Sequence, residues 1–244
     1  NNAFNVNADK VVNNSLDNNI FWASWYNYYR VIKQANAVIK FTPQVLEAGG
    51  ISAEKADDVM GQAYCLRAFT YFWIIRIWGD APLVTAPYLD SNDSFDLPKA
   101  AVADIVEQIH SDLENASNMI DKNSTSRTTF TQTAAYAINA HVYAWEHKYE
   151  ETINMADKVL TNTNYTLANL YDEKYTGTTD DVKNKNFKAL VQASEYAQIF
   201  NTGRSKESIF ELASNVADGD DQKNLTTYLA GSWPILRPRP RFGK

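Results

Sequence analysis

The stretch GQAYCLRAFTYFWIIRIWGDAPLV, residues 61–84, carries a clear helical pattern. One face of this helix repeats at alternating spacings of four and three residues: Val59, Ala63, Leu66, Thr70, Trp73 and Ile77. A second face is also apolar: Met60, Tyr64, Tyr71, Ile74 and Trp78. A helix that is apolar on nearly all sides must be covered by neighbours. The pattern therefore predicts a core helix at the centre of a bundle or superhelix.

The end of this central helix is also encoded locally. Gly79 stands where a C-terminal cap needs a positive φ, and Pro82 prevents the helix from resuming. The run from Tyr71 to Trp78 is far too short to span a bilayer. The single cysteine, Cys65, lies inside the helix, and we interpret it as a small buried hydrophobe rather than a reactive thiol.

Composition bounds the partners that the chain can attract. The 244 residues are 45% hydrophobic and 13% aromatic, and the formal net charge is −6. No basic field exists to attract nucleic acid or anionic lipid, so we expect neither as a partner. The sequence carries no signal peptide or transmembrane pattern. The chain opens on an Asn-rich stretch and stops abruptly, and we interpret both ends as cut.

Two further helices flank the central one. The first is predicted over about 19–41, closed by Pro43, with an apolar stripe made of Phe21, Trp25, Tyr28, Ile32, Ala35 and Ile39. Asn36 falls beside that stripe, and we expect its amide to satisfy a neighbouring backbone group. The other follows Pro98 and is half exposed, with Val102, Val106, Ile109, Leu113, Ala116 and Ile120 on its buried face.

Residues 131–161 are predicted to form a helical hairpin similar to a tetratricopeptide pair. Small residues permit close packing, and the apolar contacts are assigned to Tyr143, Tyr149, Ile153, Ala156 and Leu160. The helices at 19–41 and 54–78 form an earlier pair. An α-superhelix of such pairs is the economical interpretation. Beyond residue 165 the helical period weakens: we predict a short helix at 187–200 and a short extended segment at 205–214.

Catalytic signatures are mostly absent from the sequence. His110 is placed on the exposed side of its helix, and His141 and His147 on roughly opposite sides of theirs, so their spacing forms no metal site. We expect no metal, cofactor or catalytic residue. A hydrolase or lyase that uses a pair of carboxylates is the enzymatic alternative, although no acidic pair is singled out.

One stretch imitates the opening of a calcium loop through Asp90, Asn92 and Ser94. Phe95 stands where that loop requires glycine, and Ala101 stands where it requires the closing glutamate. The resemblance to a calcium site is therefore weak.

Aromatic residues in excess of the core stripes suggest a carbohydrate site. Flat rings stack on the apolar faces of sugars, and asparagine amides bond hydroxyl groups both as donor and as acceptor. We nominate as ligand-binding residues Asn5, Asn7, Trp22, Tyr88, Tyr175 and Trp233. Simple packing is the alternative for each aromatic residue.

Five sequence blocks resemble the SusD/RagB-like outer-membrane nutrient-binding lipoproteins of Bacteroidetes. The central block is similar to the family pattern GEA-x-FLRA-x-x-Y-x-x-L-V-R-x-FGD-x-PLV at Gly61, Ala63, Leu66, Arg67, Ala68, Tyr71, Arg76, Gly79, Asp80, Pro82 and Leu83. The W-x-x-Y-x-x-I-x-x-AN helix matches at Trp25, Tyr29, Ile32, Ala35 and Asn36. Later blocks match within 99–116, at AAYAINAHVY and at Glu207-Ser208-Ile209-Phe210.

The resemblance implies a mainly α fold, a right-handed superhelix of tetratricopeptide-like helix pairs with loops and a few short strands. We expect a single domain over 1–244, with a helical core at 19–161 and a loop-rich region at 162–244. Members are usually much longer, and the anchoring N-terminal cysteine is not found in this chain. The matching motifs belong to the scaffold, and we expect Arg67, Arg76 and Asp80 to brace it.

The function that the resemblance implies is non-enzymatic. It is a lipid-anchored, cell-surface subunit of the outer membrane that captures glycans or other nutrients and passes them to a SusC-type TonB-dependent transporter. The alternative is a helical-repeat scaffold that binds only a protein partner. A helical glycoside hydrolase or lyase is the third hypothesis.

Overall fold

The computed structural model describes residues 25–88, 96–167 and 205–211. Within these ranges the chain forms five α-helices: α1 Tyr26–Glu47, α2 Ala53–Trp78, α3 Val102–Met119, α4 Gln132–Trp145 and α5 Tyr149–Leu160. The same residues contain no strand beyond one antiparallel bridge between Ala81 and Ala100. The predicted helical class is confirmed.

Helix α2 is the centre of the described fold, because it packs against α1, α3 and α4. Ser52 caps its first turn by accepting a hydrogen bond from the Lys55 amide at 3.2 Å. Gly79 ends it with a φ of 73°, a conformation that favours glycine. Cys65 is fully buried, and burial raises the pKa of its thiol well above the ordinary range. The predicted helix end and the buried cysteine are confirmed.

One face of α2 departs from the prediction that neighbours cover the helix on nearly all sides. Leu66, Trp73 and Ile77 are each more than a third exposed, whereas Tyr71 and Ile74 are fully buried. The three described neighbours of α2 cover the Tyr71 side, so much of the regular stripe through Leu66 and Trp73 faces outward. A spacing pattern identifies an apolar face but does not identify what covers it.

Helix α1 continues past Pro43, which the sequence analysis placed at its end. Proline has no backbone N–H, so Pro43 lacks only the hydrogen bond that this position would donate to the carbonyl of Ile39. The helical hydrogen bonds continue after it. The Ala48 amide donates to Gln44 O at 3.0 Å, and the helix gives way to Gly49 at a φ of 71°. The predicted boundary was therefore wrong by about one and a half turns. Residues 19–24 lie outside the described ranges.

Helix α3 confirms its predicted buried face but not the position of His110. The His110 ring is half buried against α4, with Nδ1 2.6 Å from Asn139 Oδ1 and Nε2 2.7 Å from Glu146 Oε2. It also stacks on the Tyr143 ring at 4.1 Å. The prediction was wrong because the α4–α5 hairpin lies over the side of α3 that a single helix would leave in water.

The α4–α5 hairpin is confirmed, but the contacts assigned to its second helix are not. Tyr149, Ile153 and Leu160 are exposed, with Leu160 at 75%. Among the described helices, α5 packs principally on α4, so this stripe does not face another described helix. His147 lies in the turn with a φ of 64° rather than on α4, so His141 and His147 do not share a helix.

Residues 205–211, here called the strap, are non-helical as predicted, with a turn at 206–207 and no strand. The predicted helix at 187–200 and the calcium-like residues Asp90, Asn92, Ser94 and Phe95 lie outside the described ranges. None of the helices within those ranges has the length and apolar character needed to cross a bilayer.

Candidate functional site

A buried ion pair joins α2 to α3. The Arg67 guanidinium donates to both carboxylate oxygens of Asp112, at 2.8 Å from Nε and 2.6 Å from Nη2. Gln108 Nε2 donates a third hydrogen bond to this carboxylate at 2.8 Å. Burial raises the pKa of the Asp112 carboxyl, and the bonds from Arg67 and Gln108 oppose that rise. Bidentate pairing fixes geometry as well as charge, so it sets the register of the two helices.

The same network fixes the loop that follows α2. Arg67 Nη1 donates to Asn36 Oδ1 at 2.6 Å, and Asn36 Nδ2 donates to Val84 O at 3.0 Å and Ala86 O at 3.2 Å. This confirms the role expected for the buried amide of Asn36. The Tyr71 hydroxyl accepts from the Val84 amide at 2.7 Å and donates to the Val84 carbonyl. Burial raises the pKa of Tyr71 to about 12.

These residues form a scaffold, because their hydrogen-bonding groups are directed at one another. Asp80 belongs to it as well, since its Oδ1 accepts from the Val102 amide at 3.0 Å and so caps α3. Arg76 does not share this role. It is exposed, and its guanidinium lies 4.9 Å from the centre of the Trp73 ring and 5.0 Å from that of Phe72. The expected bracing role is thus confirmed for Arg67 and Asp80 only.

A groove opens along the exposed face of α2. It includes a cavity of about 460 Å³ between α2, α4 and the strap, lined by Phe69, Phe72, Trp73, Arg76, Ile138, His141, Glu207 and Phe210 among others. A neighbouring cavity of about 250 Å³ lies between α1 and α2 and shares Phe69 and Trp73 with it. A third, of about 460 Å³, extends toward the start of α2 and shares Phe210. We call this continuous surface the α2 groove.

The strap occupies the middle of the α2 groove. The Phe210 ring stacks on Phe130 with 4.3 Å between centroids and 13° between planes, and it meets Phe69 edge-on at 6.5 Å. The Glu211 amide donates to Arg127 O at 2.7 Å. The groove is therefore a surface that already holds a non-helical peptide segment.

The nominated ligand-binding residues fall mostly outside the described ranges: Asn5, Asn7, Trp22, Tyr175 and Trp233. Tyr88 is the exception. It is half buried and packs against the main apolar core, and it lines none of the three cavities of the α2 groove. Its assignment to a ligand site stays a prediction.

Residue spacing did not predict that Trp73 and Arg76 line a groove. The signal was present, because the stripe through Leu66 and Trp73 was read correctly as apolar but interpreted as core. An arginine three residues after an apolar tryptophan is the only local hint that this face meets water. Within the described ranges no group of three or more metal-ligating side chains is brought together. The chemistry that this surface offers is binding through aromatic rings and a cation.

Comparison with known proteins places this chain in a family. The family model described as starch-binding associating with outer membrane matches residues 1–144, more than half of the chain. The chain belongs to the SusD-like family. SusD-like proteins are carbohydrate-binding and non-catalytic.

Curated relatives agree with this membership. The chain is 27% identical over 174 residues to SusD-like protein P38 of Formosa agariphila, which covers 66% of the chain and 32% of the relative. It is 30% identical over 158 residues to SusD-like protein P2 of the same organism. This match covers 63% of the chain and 30% of the relative. The chain therefore spans about a third of the length of the curated relatives that it matches.

Solved structures share the fold. A SusD superfamily protein of Bacteroides thetaiotaomicron has a TM-score of 0.61 at 22% identity. The match covers 83% of this chain and 41% of the solved chain. A structure described as being with xylogluco-oligosaccharide has a TM-score of 0.51 at 26% identity. The match covers 59% of this chain and 30% of the solved chain. A laminarin-binding SusD-like protein has a TM-score of 0.55 at 23% identity. The match covers 62% of this chain and 34% of the solved chain.

Proposed function

We propose that this chain is part of a glycan-binding protein that captures oligosaccharides without transforming them. The observation that carries the proposal is the match of residues 1–144 to a family described as starch-binding. The similarity to a structure with xylogluco-oligosaccharide supports the same class of ligand. The buried Arg67–Asp112 network accounts for the matching motifs without any catalytic role.

The proposed ligand contacts lie in the loops rather than in the helical scaffold. Tryptophan and tyrosine rings stack on sugar faces, and Asn5 and Asn7 supply amides for the hydroxyl groups. The ring residues proposed for this role are Trp22, Tyr88, Tyr175 and Trp233. The domain proposed for the chain remains a single SusD-like domain over 1–244.

The partner and place proposed for the whole protein follow from the family. The family description names association with the outer membrane, and we propose a cell-surface site there. The proposed partner is a SusC-type TonB-dependent transporter, to which the bound glycan is delivered. The proposed attachment to the membrane is a lipid on an N-terminal cysteine.

Affinity electrophoresis and isothermal titration against xyloglucan oligosaccharides, laminarin and starch fragments test the binding role. We expect saturable binding to at least one glycan, with no release of reducing sugar. Tyr175→Ala or Trp233→Ala should weaken that binding about tenfold, which corresponds to about 1.4 kcal/mol. Tyr149→Ala is the matched control, because this exposed tyrosine lies on α5 and is not a nominated contact. Absence of binding to every glycan would refute the proposal for this chain.

A scaffold that binds only a protein partner is the second candidate, and the α2 groove favours it. An exposed Trp73 beside Leu66 and Ile77 is typical of a surface that binds another polypeptide. The two candidates differ in their response to one substitution. Trp73→Ala leaves glycan binding unchanged if the loops bind sugar, and it weakens binding of a protein partner if the groove is the functional site.

A further inference from the structure

The strap is held in the α2 groove by contacts of two kinds. The first kind uses the backbone and is independent of sequence: the Glu211 amide donates to Arg127 O, and the Thr166 amide donates to Lys206 O at 3.1 Å. The Arg127 guanidinium also donates to the Ser208 carbonyl. Any segment with the same backbone path could make these bonds.

The second kind of contact reads side chains. Phe210 packs its ring against Phe130 by stacking and against Phe69 edge-on, and these two rings also contact each other. Three residues earlier, Glu207 lines the same cavity as Arg76 and His141. The side-chain pattern that the groove accepts is therefore an acidic residue followed, after two intervening positions, by an aromatic residue.

The groove is longer than the strap that lies in it. A cavity of about 460 Å³ remains beside the strap, and the exposed part of Trp73 lines both this cavity and the 250 Å³ cavity toward α1. The buried Ser205 hydroxyl of the strap has no hydrogen-bond partner among the described residues.

We propose that the α2 groove is a receptor for non-helical segments of a partner protein that carry the pattern acidic-x-x-aromatic, and that the strap is its intramolecular occupant. The partner's aromatic ring takes the place of Phe210 against Phe130 and Phe69, while its carboxylate meets Arg76 in the lining of the same cavity. Recognition of this kind combines backbone hydrogen bonds for affinity with pockets for alternate side chains. Binding is an exchange, because the strap must leave.

Charge favours this occupant over an apolar one. Arg76 and His141 line the open cavity, and the Arg76 guanidinium is held over two aromatic rings in a position where it remains exposed. A partner segment with an acidic residue satisfies this cation, whereas a purely apolar segment leaves it facing hydrocarbon. The strap places its own glutamate, Glu207, in the lining of this same cavity.

A labelled, end-capped peptide of the strap sequence, SKESIFE, is the probe for the exchange. In the full chain carrying Phe210→Ala, the anchor of the intramolecular occupant is lost and its site is free. We expect fluorescence anisotropy to show at least tenfold tighter binding of the peptide to this variant than to the unaltered chain. The peptide SKESIAE should bind at least tenfold more weakly than SKESIFE.

Charge reversal in the peptide and at Arg76 distinguishes specific recognition from nonspecific binding. The peptide SKKSIFE should bind Phe210→Ala severalfold more weakly than SKESIFE, and it should recover on the double variant Phe210→Ala/Arg76→Glu. Tyr149→Ala combined with Phe210→Ala is the matched control and should bind as Phe210→Ala does. Circular dichroism establishes that each variant is folded.

Two results would overturn the proposal. A folded Phe210→Ala chain that binds SKESIFE and SKESIAE equally, or binds neither, has no such receptor. Dimers of the unaltered chain that grow with concentration in size-exclusion chromatography, and that Phe210→Ala abolishes, would show exchange of straps between two copies instead. Glycan binding is measured separately, so failure here leaves the proposed function untouched.

Discussion

Arg67 and Asp112 form a bidentate ion pair across the α2–α3 interface, with nitrogen–oxygen distances of 2.6 and 2.8 Å and both side chains buried. The two residues lie 45 positions apart in two separate sequence blocks. Breaking such a pair leaves a buried charge without compensation, which costs roughly 3–5 kcal/mol. The pair therefore explains why two distant blocks occur together in a sequence with this fold.

Replacing Arg67 tests this account. We expect Arg67→Met to lower the free energy of unfolding by roughly 3–5 kcal/mol, because Asp112 loses two of its three donors inside the protein. The double variant Arg67→Met/Asp112→Leu should lose less than the sum of the single changes, because no lone charge remains. Urea unfolding followed by circular dichroism measures each value.

The matched control for Arg67 lies on the same helix. Arg76 is exposed, and we expect Arg76→Met to change stability by about 1 kcal/mol or less. Equal losses for the two arginine variants would contradict the assignment of Arg67 to the scaffold and of Arg76 to the groove.

The buried Tyr71 predicts a loss of stability at alkaline pH. Burial raises its pKa to about 12 in the folded chain, whereas an unfolded tyrosine ionises near 10. A raised folded pKa means that the stabilisation is complete below pH 10 and is lost as the pH rises toward 12. We expect up to roughly 3 kcal/mol of the stability to disappear over this window.

Comparison with a variant isolates the contribution of this phenol. The stability gap between the unaltered chain and Tyr71→Phe should narrow between pH 9 and pH 11.5, measured by urea unfolding at each pH. A Tyr71→Phe gap that does not vary with pH would show that the hydroxyl contributes only hydrogen bonds.

The sequence predicted much of this fold because its signals are local. The stripes of α2 and α3, the positive φ at Gly79 and the buried amide of Asn36 each depend on residues close in the chain and on general packing rules. His110, Leu160 and Trp73 were misplaced for the opposite reason. Whether each is covered depends on which helices are neighbours, and no spacing within one helix carries that information.

The sequence predicted less of the candidate site than of the fold. The strap, far along the chain, occupies part of the α2 groove by packing on Phe69 and Phe130. Helical spacing assigned Trp73 to a covered apolar face, and only the tertiary structure shows that this side chain is exposed. The block Glu207-Ser208-Ile209-Phe210 indicated membership of a family but not its place in a groove.

Glu146 predicts a complementary loss of stability at acidic pH. Burial opposes its ionisation, but hydrogen bonds from Lys148 and His110 outweigh that effect and lower its pKa below the ordinary value of 4.5. A lowered folded pKa means that the stabilisation is present above pH 4.5 and is lost as the pH falls through the folded pKa. The stability gap between the unaltered chain and Glu146→Gln should therefore be present at pH 7 and should shrink below pH 4.5. An equal gap at pH 7 and pH 3.5 in thermal unfolding would contradict this role.

Gly61 lies where α2 closely approaches the end of α3. A Cβ placed on Gly61 would lie 2.6 Å from Ile120 Cγ1 and 3.2 Å from the Ile120 backbone nitrogen. Alanine gains about 1 kcal/mol over glycine inside a helix, but overpacking of a tight contact costs about 1–3 kcal/mol. We expect Gly61→Ala to lower the free energy of unfolding by up to about 2 kcal/mol, measured by urea unfolding. The double variant Gly61→Ala/Ile120→Ala should lose less stability than the sum of the two single variants, because the branched side chain that the new methyl group meets is removed. A stabilising effect of Gly61→Ala alone would show that the end of α3 can move away from α2.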